Sequence, residues 1–182
     1  MFNIGDRIFY PMHGAGVIVE RKEIEILGEK RKYFIMQMPI GDMKVMVPVD
    51  SVEEVGVRPI VGLDEIDRVI SILKGNMTDM PHNWNRRYRA NMDRIKLGDI
   101  FELAAVVRNL ILLDKEKTLS TGERKMLNSA KQMLVSEIVL VKGITPEETE
   151  LLIDEYVEEY VEEIGEADDI EALEEITEDT IV

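Results

Sequence analysis

The chain has 182 residues, is 45% hydrophobic and carries a formal net charge of −15, enough length and apolar content for one ordinary domain or two small ones. It contains no cysteine, which excludes a disulfide framework and a thiolate metal site. No apolar run approaches the ~20 residues of a membrane helix, and the N-terminus lacks the charged, apolar and small-residue order of a signal peptide, so a cytoplasmic protein is expected.

The charge is unevenly spread. Glu147 to Val182 holds 17 acidic residues and no Lys or Arg, which leaves 20 acids and 22 bases in residues 1–146. Residues 80–146 carry 12 bases against 7 acids. Exposed charges are screened beyond ~8 Å in physiological salt, so an anionic partner responds to this local basic excess more than to the net charge.

Residues 3–58 read as short strands. Ile4 to Tyr10 leads through Pro11-Met12-His13-Gly14 into Ala15 to Val19, with Gly14-Ala15-Gly16 read as a turn. Leu27-Gly28-Glu29 turns the chain between Ile24-Glu25-Ile26 and Tyr33 to Met36, and Pro39-Ile40-Gly41-Asp42 turns it again before Met43 to Val49. Four or five short strands predict a small β-barrel, because closure removes the open edges of a sheet that is marginal alone.

Near Val57-Arg58-Pro59-Ile60-Val61-Gly62 the apolar period changes from two to about three and a half, which places a domain boundary there and predicts about five helices beyond it. Ile66, Val69, Ile70 and Leu73 form the stripe of the first. A second carries Trp84 and runs toward Gly98, with Met92 and Ile95 on its apolar side. A third, about 99–114, has Ile100, Leu103, Ala104, Val107, Leu110 and Ile111 at core spacing. Ser120-Thr121-Gly122-Glu123 is a capping box opening the fourth, which Gly143 closes. Thr145-Pro146-Glu147-Glu148 opens the fifth, and Gly165 is read as the end of the fold. Residues 166–182 read as an acidic, mobile tail, either solubilising or acting as a tethered decoy for nucleic acid.

Asn83-Trp84-Asn85-Arg86-Arg87-Tyr88-Arg89-Ala90-Asn91 sets the only tryptophan beside three arginines. On a helix Trp84 and Tyr88 share a face. Two readings stay open: an aromatic wedge with arginines for phosphate, or a helix whose aromatics face the core. No nucleophile elbow, phosphate loop or metal-binding histidine pair is present, and His13 and His82 stand far apart, so neither enzymatic activity nor a metal or cofactor is expected.

These residues resemble the bacterial CarD/CdnL family of transcription regulators. The likeness runs through Gly5-Asp6-Arg7, Tyr10-Pro11, His13-Gly14-Ala15, Val47-Pro48, Val55-Gly56-Val57-Arg58, Asn83 to Tyr88, Leu119-Ser120 and Glu123-Arg124, and so spans residues 1 to about 160. It implies an α+β protein of two domains. Residues 1–58 would form a Tudor-like (SH3-like) barrel that binds the β subunit of RNA polymerase, and residues 59–165 an all-α domain that binds promoter DNA at the upstream edge of the transcription bubble. The resemblance assigns the minor-groove wedge to Trp84 and backbone contacts to Arg86, Arg89 and Arg87. At polymerase-facing positions often occupied by arginine in relatives, this chain has Ile24 and Met46, so an apolar contact replaces a charged one. A monomer is expected. The alternative is a protein adaptor, with Trp84 in the core and each domain docking a protein.

Overall fold

The computed structural model describes the backbone of residues 1–178 and the side chains of 1–162. Five strands come first: β1 (Arg7–Tyr10), β2 (Gly14–Ile26), β3 (Glu29–Gln37), β4 (Lys44–Pro48) and β5 (Arg58–Pro59). Five helices follow: α1 (Leu63–Leu73), α2 (Trp84–Lys96), α3 (Ile100–Glu116), α4 (Thr121–Lys142) and α5 (Pro146–Glu178). The chain is therefore an α+β protein in which an antiparallel sheet precedes a helical domain. No helix among the described residues is long and apolar enough to cross a membrane.

The sheet has the order β4-β3-β2-β1-β5. Leu27 and Gly28 both take positive φ, 54° and 81°, the geometry of a two-residue turn whose twist matches that of the strands it joins. Ile8, Ile18, Phe34, Met36, Met38, Val47 and Val57 form one apolar cluster, so both ends of the sheet contribute to the same core. The expected barrel is thus a sheet folded about one core, with no ladder between β4 and β5 among the described residues. Gly14-Ala15-Gly16, expected to be a turn, opens β2 instead; Ala15 and Gly16 pair with Phe9 and Ile8. A Cβ on Gly16 would lie 2.6 Å from Met36 Cγ, so here glycine allows close packing of strands and not chain reversal.

β1 is buried on both faces. Ile8 points into the sheet's own core, whereas its neighbour Phe9 joins the helical core with Ile100, Leu103, Met133 and Leu134. The chain changes architecture between Pro59 and Leu63. α3 is the central helix, with every residue from Leu103 to Leu110 buried, as expected of a helix surrounded by others. α4 has the capping box read from sequence and ends at Gly143 with φ 68°.

α5 does not stop at Gly165. Its backbone remains helical to Glu178, because one glycine costs about 1 kcal/mol relative to alanine and strong helix formers flank it. The acidic tail read at 166–182 is therefore helical backbone as far as Glu178, and its last four residues lie outside the described residues.

Candidate nucleic-acid interface

α2 starts at Trp84 because Asn83 caps it: the Asn83 side chain accepts from Arg86 N at 3.2 Å, satisfying one of the amides that a helix start leaves free. Trp84 occupies the first helical position and is 53% exposed. The first turn carries no acidic residue, so the positive end of the helix dipole is uncompensated beside the indole. Arg86 and Arg89 are exposed, and neither has an ion-pair partner among the described residues. Nearby Arg94 and Arg124, by contrast, are engaged by Glu102 and Asp114.

Arg87 is different. It is 5% exposed and turns inward to Glu123, with Nε 2.5 Å from Oε1, while Nη1 donates to Pro81 O at 3.2 Å and His82 O at 3.0 Å. Arg87 Nε and Nη1 are thus engaged inside the protein, unlike the side chains of the exposed Arg86 and Arg89. The sequence reading missed this. The buried face of α2 is Arg87, Asn91 and Ile95, at i, i+4 and i+8, and its first two, polar members resemble a solvated face until the partner of Arg87 is seen. The signal lay in Glu123, read only as half of a capping box. Its Oε2 does accept from Ser120 N at 3.1 Å, but its Oε1 is free to pair with Arg87. Burial pushes the Glu123 carboxyl up, yet the hydrogen bonds from Arg87 and Ser120 outweigh that and hold it below its ordinary value. This favours the Glu123 carboxylate that Arg87 needs as its partner.

Beside Trp84, Tyr88 is half-buried and rests where a Cβ on Gly122 would approach its ring at 3.5 Å. The same groove of about 170 Å³ is lined by Met92, Lys125 and Ser129. Lys125 is exposed and extends the basic surface from α2 onto α4, a residue that sequence spacing did not single out.

On the sheet, Ile24 and Met46 share one face. Phe34 and Met36 face the core, so Tyr33 and Ile35 lie on the opposite side of the sheet, where both are still buried; Met46 pairs with Ile35, and Ile24 pairs with Arg31, two residues before Tyr33. Met46 is 49% exposed, and Leu27 stands free at the hairpin tip. This face of β2, β3 and β4 thus mixes apolar Ile24, Tyr33, Ile35 and Met46 with charged Lys22, Arg31 and Lys44. β4 is an edge strand, paired only with β3 among the described residues, and such an edge can accept a strand from a partner.

The relation between the two surfaces is fixed by Arg58. Its guanidinium makes a bidentate contact with Glu137 at 2.6 and 2.9 Å, donates from Nε to Gly98 O at 2.8 Å and lies 4.3 Å from the centroid of Phe9. Glu137 is fully buried and also accepts from Val61 N at 3.0 Å. Two closer approaches reinforce this joint. Ala15 N donates to Ser136 Oγ at 2.8 Å, and Gly14, at φ 106°, leaves only 2.7 Å between a notional Cβ and that same Oγ. Among the described residues no cluster of His, Cys, Asp and Glu could hold a metal; His13 stacks on Tyr10 with ring centroids 4.2 Å apart.

A five-stranded sheet is thus locked to a helical domain that presents an exposed aromatic beside two arginines with no ion pair among the described residues. Residues 2–61 match the CarD-like/TRCF RID domain, and residues 68–154 match the CarD, C-terminal domain. The chain is similar to "Putative transcription factor YdeB" of Bacillus subtilis (strain 168), at 42% identity over 145 residues, covering 80% of this chain and 95% of that protein. The chain belongs to the CarD family of transcription regulators, whose members are not enzymes, and its N-terminal part is the family's RNA polymerase-interacting domain.

Proposed function

We propose that the chain binds the β subunit of RNA polymerase through the outer face of β2–β4, including Ile24 and Met46, and stabilises the open promoter complex through Trp84. The indole wedges into the minor groove at the upstream edge of the bubble, and Arg86 and Arg89 hold the flanking phosphates. The protein acts as a monomer, in the cytoplasm, on the polymerase it binds. The observation that carries this reading is the exposure of Trp84 at an uncompensated helix start, flanked by two arginines without ion partners among the described residues. A wedge lowers the cost of unstacking a base step, so it favours melted over closed DNA by the difference in affinity between the two.

Salt dependence tests the DNA half. Each phosphate contact contributes about −0.9 to the log-log slope of duplex binding, so Arg86→Ala and Arg89→Ala should each make the slope shallower by about one while leaving the fold intact. A shallow slope for the wild type, unchanged in both variants, would favour the adaptor reading. On the other half, Met46→Glu places a charge on an apolar contact and should weaken binding to the isolated β subunit by at least roughly tenfold, since desolvating an unpaired carboxylate costs several kcal/mol. Unchanged binding in that variant would move the polymerase contact off this face.

A further inference from the structure

Residues 74–83 connect α1 to α2 and deliver the chain to Trp84. Two buried arginines grip this segment. At its start Arg108 of α3, 5% exposed, donates to Ile72 O at 2.9 Å and to Thr78 Oγ1 at 3.4 Å. The fully buried Asn109 completes that anchor: its Oδ1 accepts from Arg108 Nη2 at 2.9 Å and from Thr78 N at 3.2 Å, and its Nδ2 donates to Thr78 Oγ1 at 2.7 Å. At the far end Arg87 bonds the carbonyls of Pro81 and His82 and is itself held by Glu123.

The arrangement at the far end is unusual for a helix start. Arg87 is the fourth residue of α2, and it reaches back to carbonyls that precede the helix and so have no partner within it. A first turn otherwise frays most readily. Here its approach is tied to α4 through a buried charge pair. Arg108 has no carboxylate partner among the described residues, and burial, followed by the nearby charge of Arg94, lowers its pKa. Burying an unpaired cation is costly, and its bonds go to Ile72 O at the end of α1, to Thr78 in the connecting segment and to Asn109, which itself holds Thr78.

We propose that Arg87 and Arg108 are positioning residues that fix residues 74–83 and the first turn of α2, so that Trp84 meets DNA in one preset orientation. Its consequence for transcription rests on the wedge reading above; the orientation does not. Ordering a side chain before binding removes that cost from the binding step. A conformer populated only in part would weaken apparent affinity by that fraction.

Trp84 is the only tryptophan, so its fluorescence reports its own mobility without a label. The test uses the full chain with Arg87→Lys, which keeps the charge opposite Glu123 but cannot reproduce the guanidinium's several directed bonds, and with Glu123→Gln. Time-resolved anisotropy in the absence of DNA should show the amplitude of nanosecond motion at Trp84 rising about twofold in both. Open-complex lifetime should fall roughly threefold to tenfold in each variant, and neither should shorten it further in a Trp84→Ala background, as expected when two residues act through one another.

Unchanged anisotropy in both variants would overturn the proposal. So would an equal loss of lifetime with Trp84 already removed, because Arg87 and Glu123 would then act elsewhere. Loss of far-UV ellipticity in Arg87→Lys would make the pair a determinant of folding and not of orientation. If Trp84→Ala alone leaves the lifetime unaltered, the wedge reading fails, while raised mobility in Arg87→Lys would still uphold the positioning role.

Discussion

Replacing Trp84 with alanine should abolish most of the preference of the polymerase-bound chain for pre-melted over duplex promoter fragments, a loss of roughly tenfold to a hundredfold, because unstacking a base step costs a few kcal/mol. Stability should change by no more than about 0.5 kcal/mol, since the side chain lies largely outside the core. The structure separates these two outcomes. Trp84 is 53% exposed, whereas the inward face of its helix is formed by Arg87, Asn91 and Ile95. Competition binding on the two fragments, with a thermal melt of the same sample, checks both. A melt lowered by more than ~10 °C would mean that the indole supports the fold.

Arg58→Ala should have the largest effect on stability. It strands Glu137, which is fully buried, with Val61 N as its remaining hydrogen-bond donor. Removing one partner from such a pair costs about 3–5 kcal/mol because the other charge stays buried and uncompensated. For a chain of this size that corresponds to a fall of roughly 10 °C in the melting temperature. The same substitution removes the bond to Gly98 O, at the end of α2, and the stacking on Phe9. The sheet would therefore lose its fixed placement relative to α2, and on the proposed function the effect on open complexes should fall even at temperatures where the variant is folded. Scanning calorimetry measures the first effect, and β-subunit binding checks that the polymerase surface survives.

Much of this was legible in the sequence where a local rule matched the global fold. Strand alternation, the Leu27-Gly28 turn, the capping box at Ser120 and the exposed start at Trp84 each follow from a few neighbouring residues. What escaped depends on long-range pairing. Arg87 and Glu123 lie 36 positions apart, and Arg58 and Glu137 79 apart; in the linear chain all four resemble ordinary solvated charges. Gly14 and Gly16 were misjudged for a related reason. Their role is to let α4 and β3 approach, and glycine at a close approach looks in sequence the same as glycine in a turn. The end of α5 was misplaced because Gly165 was given the weight of a stop signal, although no second signal accompanies it.

The central claim is tested most directly by the lifetime of open promoter complexes formed by a bacterial RNA polymerase and challenged with competitor, compared without the chain, with wild type and with folded Trp84→Ala. A lifetime lengthened by wild type and returned nearly to that of polymerase alone by the variant is the predicted result. Equal lifetimes in all three, with β-subunit binding intact, would contradict the wedge and leave a protein that docks on polymerase without acting on the bubble.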